Sequence, residues 1–154
     1  MIKIYTASKV RHADMLRNLR TTIDTNGIHF NARWVETCNL AFNSTKPVSH
    51  WQRENFDDIE RADAVFGYAE VGEHLKGGLV EIGFAIRAGK PIYLIGQSVK
   101  PDLSKGQETT TVYHPDYDPW CRFNPAQIKT AKTFQEGIIM VRQMFREPEN
   151  LIPC

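Results

Sequence analysis

The run from Asn55 to Gly96, NFDDIERADAVFGYAEVGEHLKGGLVEIGFAIRAGKPIYLIG, reads as helix end, strand, loop, helix and strand. Ala64-Val65-Phe66-Gly67-Tyr68 is a short apolar run led in by Asp63, and Pro91-Ile92-Tyr93-Leu94-Ile95 is a second one ended by Gly96. Between them Gly77-Gly78 opens a helix and Gly89 closes it before Lys90-Pro91, which is how glycine and proline mark a helix exit. Two buried strands joined by a helix form a right-handed βαβ unit with parallel strands. Ligands of open parallel sheets bind beyond the carboxyl ends of the strands. The loop Ala69 to Lys76 and the first turn of the next helix, with Glu81, belong at that end.

Outward from this unit the pattern alternates. Ile2 to Thr6 predicts a first strand, and Lys9 to Asn26 a helix with Ala13, Leu16, Leu19 and Ile23 on one stripe. Ile28 to Val35 alternates as a second strand at an edge or half-exposed place. Glu36 to His50 reads as a loop or short helix, and Trp51 to Ala62 as a helix with Ser49 as a candidate cap. Gln97 to Trp120 is long, polar and rich in turn residues, and loops of that length in a small domain are usually functional or disordered. A short last strand is expected within 112–114 and 121–123, then a closing helix from Thr133 to Phe145 and a tail. The sum is one domain over 1–154 of the α/β class. It is a three-layer, flavodoxin/Rossmann-like sandwich on a mostly parallel five-stranded sheet.

Composition narrows the function. Lys and Arg total 19 against 18 Asp and Glu, so no global field draws the chain onto a nucleic-acid polymer or a membrane surface. No apolar run approaches bilayer length and no signal-peptide pattern is visible. The three cysteines, Cys38, Cys121 and Cys154, are far apart without CxxC pairing, which favours free thiols in a cytoplasmic protein over a disulfide framework or structural zinc. His50, His74 and His114 lie in or beside loops without partners at ligand spacing, so no metal is expected. Neither GxGxxG nor GxxxxGK[ST] occurs, and no cofactor is expected.

Glu81 sits about one turn inside a helix start, where the helix dipole and backbone N–H groups favour a charged carboxylate. At the mouth of a parallel sheet such a group is a candidate nucleophile or base. The plainer alternative is a first-turn acid on a solvated helix. Tyr5, near the end of the first strand, is placed to hydrogen-bond a carboxylate there. Asp63 leads its strand and is as readily structural as catalytic. Cationic and backbone donors for an anion are Lys76 with Gly77-Gly78, and Ser8, Lys9 and Arg11 after the first strand. Lys9 and Arg11 also fit a solvated helix start. Trp34, at the end of the second strand, and Trp51 are the aromatic residues best placed to stack a planar ligand.

These segments resemble the nucleoside 2-deoxyribosyltransferase superfamily and the related N-glycosidases of nucleoside 5′-monophosphates. The resemblance rests on IYTAS, ARW, DDIERADAVFGY and GGLVEIGFAIRAGKPIYLIG in this order, and continues loosely through VYHPDYDPWCRF. It implies that Glu81 attacks the anomeric carbon of a nucleoside or nucleotide, that the base leaves, and that a glycosyl–enzyme intermediate passes to a second base or to water. It implies that Tyr5 orients Glu81, and that the chain forms a homodimer or higher homo-oligomer. Where the family commonly has an Asp that protonates or holds the base, this chain has Asn55, able to hydrogen-bond a base or ribose. The loop EVGEHLKGG differs from the shorter acidic family loop, and Glu70 or Glu73 is a substitute for base protonation. Competing readings are a catalytically idle nucleotide-binding module of the same fold and a plain interaction domain.

Overall fold

A computed structural model describes residues 1–42, 45–70, 73, 75, 77–96 and 125–146. The elements are β1 (Ile2–Ala7), a 3-10 turn (Val10–His12), α1 (Ala13–Thr22), β2 (Ile28–Phe30), α2 (Trp34–Phe42), α3 (Val48–Arg61), β3 (Ala64–Tyr68), α4 (Gly77–Arg87), β4 (Ile92–Ile95), β5 (Ile128–Ala131) and α5 (Phe134–Arg146). The five strands run in the order β2-β1-β3-β4-β5, and all four pairings are parallel. This is the flavodoxin-like order, with the reversal of winding between β1 and β3.

The centre of the sheet is dry. Ala64, Val65 and Phe66 of β3 and Ile4 and Tyr5 of β1 are fully buried, as strands covered by helices on both faces must be. Helix α5 approaches closely because residue 137 is glycine: a Cβ there would stand 2.7 Å from Ile95 Cδ1 and 3.2 Å from Phe66 Cζ. Gly89 adopts φ 69° at the exit of α4, the left-handed conformation that glycine takes without a Cβ penalty. Lys90 then reaches back, its Nζ donating to the carbonyls of Glu60 and Ala62 at 2.8 Å each and closing the end of α3.

Several element bounds differ from the sequence pattern. β2 stops at Phe30, and Trp34 opens α2 instead of ending a strand. The cause is Asp58 on α3. Its buried carboxylate accepts the Arg33 backbone N–H at 2.9 Å and the Arg33 Nε at 2.8 Å, which pulls the chain off the sheet edge and satisfies a donor at the start of α2. Helix α1 ends at Thr22, where the Thr21 and Thr22 hydroxyls bond back to the Asn18 carbonyl, a local competition that weakens helices. Ser49 lies inside α3, whose N-cap is Pro47. The last strand is Ile128–Ala131, parallel to β4; residues 112–114 and 121–123 lie outside the described residues. Asp63 Oδ2 accepts the Lys3 N–H at 2.7 Å at the amino-terminal end of the sheet, a structural tie. No helix among the described residues is long and apolar enough to cross a membrane.

Candidate functional site

Three segments meet at the carboxyl ends of β1 and β3, where the winding of the sheet reverses. The chain leaving β1 brings Ser8 and Lys9, α3 brings Trp51, Glu54 and Asn55, and the start of α4 brings Gly77, Gly78 and Glu81. Together with Trp34, Thr37 and Cys38 of α2 they enclose a cavity of about 470 Å³. Trp51, Glu54 and Asn55 share a helix face because they stand at i, i+3 and i+4. Gly78 lets α4 begin close to the sheet, since a Cβ there would stand 3.3 Å from Leu75 and 3.7 Å from Ala7.

Glu81 lines this cavity and is 7 % exposed. Asn55 Nδ2 donates to Glu81 Oε1 at 2.8 Å. Burial pushes the Glu81 carboxyl up from its ordinary 4.5 to about 7, against the opposing pull of Tyr5 and Asn55. The sequence suggested that the helix dipole keeps this group ionised; desolvation outweighs that effect, because withdrawing a carboxylate from water disfavours its charge more than a helix terminus favours it. The Tyr5 hydroxyl is fully enclosed and interacts with Glu81, yet no hydrogen bond of good geometry is closed. Burial, then the Glu81 and Asp58 charges, drives the Tyr5 phenol well above its usual pKa, so it stays a donor.

The other sequence candidates divide. Ser8 and Lys9 line the cavity, although the Ser8 hydroxyl already donates to the Tyr68 carbonyl at 2.9 Å. Trp34 lines it too, anchored by its indole N–H on the Thr6 carbonyl at 2.8 Å. Trp51 offers a buried indole N–H without a partner among the described residues. Arg11 and Glu73 are not part of the cavity lining; they belong to a cluster that fastens the loop. Glu73 Oε2 accepts from His12 Nε2 at 2.8 Å and from the Glu70 N–H at 2.9 Å, and the Arg11 guanidinium pairs with both Glu70 and Glu73. Burial pushes Glu73 up, but the Glu70 N–H, His12 and Arg11 together hold it below the ordinary carboxylate range. A group kept ionised in this way is poorly suited to protonate a base. Lys76 lies outside the described residues.

His12, Glu70 and Glu73 present ligand atoms within 4.8 Å of one another. The Arg11 guanidinium already occupies the two carboxylates, which fits a salt-bridge cluster better than a cation site. Sequence reasoning did not find Thr37, Cys38 or Glu54 as cavity residues. For Glu54 the signal was present, since it shares the helix face of Trp51 and Asn55. Thr37 and Cys38 were hidden because their segment reads only as a loop or short helix from Glu36, without the register set by a helix that starts at Trp34.

The fold and the cavity define an α/β protein with a cavity at the switch point of a parallel sheet. Among solved structures the chain is similar to one titled as a 2-desoxiribosyltransferase from Leishmania mexicana, with TM-score 0.60 and 18% identity over 96% of this chain and 99% of that one. Less similar are a 2-deoxyribosyltransferase from Bacillus psychrosaccharolyticus, with TM-score 0.44, 21% identity and 64% and 77% of the two chains covered, and a CMP N-glycosidase from Clostridium botulinum, with TM-score 0.46, 13% identity and 93% and 98% covered. No protein-family model and no curated protein matches the sequence. At these identities the similarity to the Leishmania mexicana structure establishes a shared fold.

Proposed function

We propose that the protein is an enzyme that cleaves or transfers at the N-glycosidic bond of a nucleoside or its 5′-monophosphate, with Glu81 as nucleophile. The observation that carries this reading is the Glu81 carboxylate: buried, at a cavity wall, held at 2.8 Å by Asn55 and faced by Tyr5. The shared fold with a 2-desoxiribosyltransferase supports it. In the first step a Glu81 oxygen bonds to the anomeric carbon as the bond from that carbon to the base nitrogen breaks, its electron pair leaving with the base. The product is a glycosyl ester on Glu81. Water or a second base then attacks the same carbon and frees the carboxylate, so the configuration is inverted twice and retained overall.

The remaining roles follow from position. Tyr5, a phenol that stays protonated, orients Glu81. Ser8, Lys9 and the Gly77-Gly78 start of α4 form the polar end of the cavity, where a helix N-terminus favours an anionic group such as a 5′-phosphate. Trp34 and Trp51 supply aromatic walls for a base. The resemblance also suggests a homodimer or larger homo-oligomer as the working form.

Chromatography of nucleosides and 5′-monophosphates incubated with the protein, with and without a second free base, tests the reading. Release of free base that disappears in Glu81→Gln supports a hydrolase, and a new nucleoside formed only with the added base supports a transferase. Unchanged substrate throughout, together with a ligand-induced rise in melting temperature, sinks the enzymatic reading in favour of a binding module.

A further inference from the structure

The sequence position of Asn55 suggests contact with base or ribose, but one N–H of its amide is already engaged by Glu81. Its Nδ2 donates to Glu81 Oε1 at 2.8 Å, a bond that crosses from α3 to α4. The crossing is reinforced by a ring contact. Phe56, next to Asn55, stacks on Phe84, the residue three beyond Glu81, with ring centroids 4.3 Å apart and planes 13° from parallel. The two residues therefore meet at a point where the helices are locked together, with both side chains at the cavity wall. An amide can serve a carboxylate only as a donor, and it has no acidic proton to give.

We propose that Asn55 is the positioning residue of Glu81: its N–H holds Oε1, Oε2 is left to react, and Asn55 makes no contact with the base. This rests on the proposed role of Glu81. The groups that face Glu81 are Tyr5 from β1 and Asn55 from α3; the other charged residues of the cavity are Glu54 on α3 and Lys9 after β1, and the Asp58 charge acts on Tyr5. Tyr5 and Asn55 both favour the ionised form of Glu81, so removing Asn55 leaves one of its two supports. A carboxylate in place of Asn55 adds a like charge beside Glu81 and favours the proton further.

The test compares wild type, Asn55→Ala and the isosteric Asn55→Asp by two readouts. The first is the infrared carbonyl band of protonated Glu81, identified by its absence in Glu81→Gln and followed from pH 5 to 9 in the free protein. The second is the pH profile of kcat and KM for the substrate found in the screen. The expected result is a Glu81 midpoint displaced to higher pH in Asn55→Ala and further in Asn55→Asp. The acid limb of kcat moves by the same amount, with kcat at its plateau down about 100-fold in Asn55→Ala, as loss of alignment predicts, and KM unchanged. An unmoved infrared midpoint in both variants, or a raised KM with kcat intact, overturns the proposal. The infrared shift does not depend on turnover. If it occurs while Glu81→Gln remains active, the contact stands and the nucleophile assignment falls.

Discussion

Glu81 should make the protein less stable as pH rises from about 4.5 to about 7, and Glu81→Gln should remove that dependence. The folded-state pKa, about 7, lies above the ordinary 4.5. The native protein therefore holds a proton that the unfolded chain releases between these values, so stability falls as pH climbs from about 4.5 to about 7 and levels off above. With the side chain only 7 % exposed, little solvent screening reduces the effect. Moving a carboxyl this far costs the folded state roughly 3 kcal/mol once it is ionised. Urea unfolding of wild type and Glu81→Gln, followed by circular dichroism at pH 5 and pH 8, isolates this group, because contributions common to both proteins, such as the depressed carboxyls of Asp24 and Glu73, cancel in the difference. The variant should gain about 2.5 kcal/mol on wild type between the two pH values, slightly less than the whole shift because pH 5 already lies above the ordinary 4.5. Parallel stability curves across that range would refute the claim that burial governs Glu81. Activity should run the other way: a nucleophile must be ionised, so the rate should rise tenfold per pH unit below about 7 and then flatten.

Two further substitutions test neighbouring parts of the argument. Tyr5→Phe removes a hydroxyl that lowers the Glu81 pKa, so the acid limb of the rate should move to higher pH and turnover should fall less than in Glu81→Gln. Because that hydroxyl closes no hydrogen bond of good geometry among the described residues, stability measured by urea unfolding should change by less than about 1 kcal/mol. Asp58→Asn keeps the shape but loses the charge-assisted bonds to the Arg33 N–H and Nε; denaturation should show a loss of roughly 2 kcal/mol, with weaker substrate binding because the wall carrying Trp34 loses one of its ties.

The βαβ unit from 64 to 95 was legible because two independent signals agree there: apolar runs of strand length, and glycine and proline at the helix exit. The pairing of β1 beside β3, which sets Tyr5 against Glu81, followed from that topology. The segment after β2 was illegible for an opposite reason. Its alternating residues through Val35 satisfy a strand pattern, while the group that ends the strand, Asp58, comes from a helix 25 residues away from Arg33 in sequence. A tertiary contact of that kind overrides local periodicity. β5 escaped because Ile128–Ala131 buries only its two end residues, too little for a period-two signal. At the site, Glu81 could be found by its place after Gly77-Gly78, but its charge state could not. The dipole argument uses only local sequence, whereas the desolvation that reverses it is created by α3 and β1 packing over the side chain. Glu73 shows the same limit: an acid in a site loop reads as a proton donor until His12 and Arg11 are seen to bind it.

The pairing of Asn55 with Glu81 carries a consequence for the choice of substrate. A departing nucleobase needs either a proton or enough intrinsic stability to leave as an anion. Among the described cavity residues the second carboxylate is Glu54, and its Oε1 is already engaged by Arg33 Nη1 at 3.2 Å. Asn55 has no acidic proton and Glu81 must itself be ionised to attack. The bond to the base should therefore break ahead of any proton transfer, with charge building on the base in the transition state. A series of nucleosides differing only in ring substituents that acidify the base should show rates rising steeply as the leaving base becomes a weaker base, whereas an enzyme with a positioned general acid gives a shallow dependence. Single-turnover rates of base release across such a series measure the slope. A flat slope would mean that a proton donor reaches the base after all, and Glu54 would be the first residue to replace.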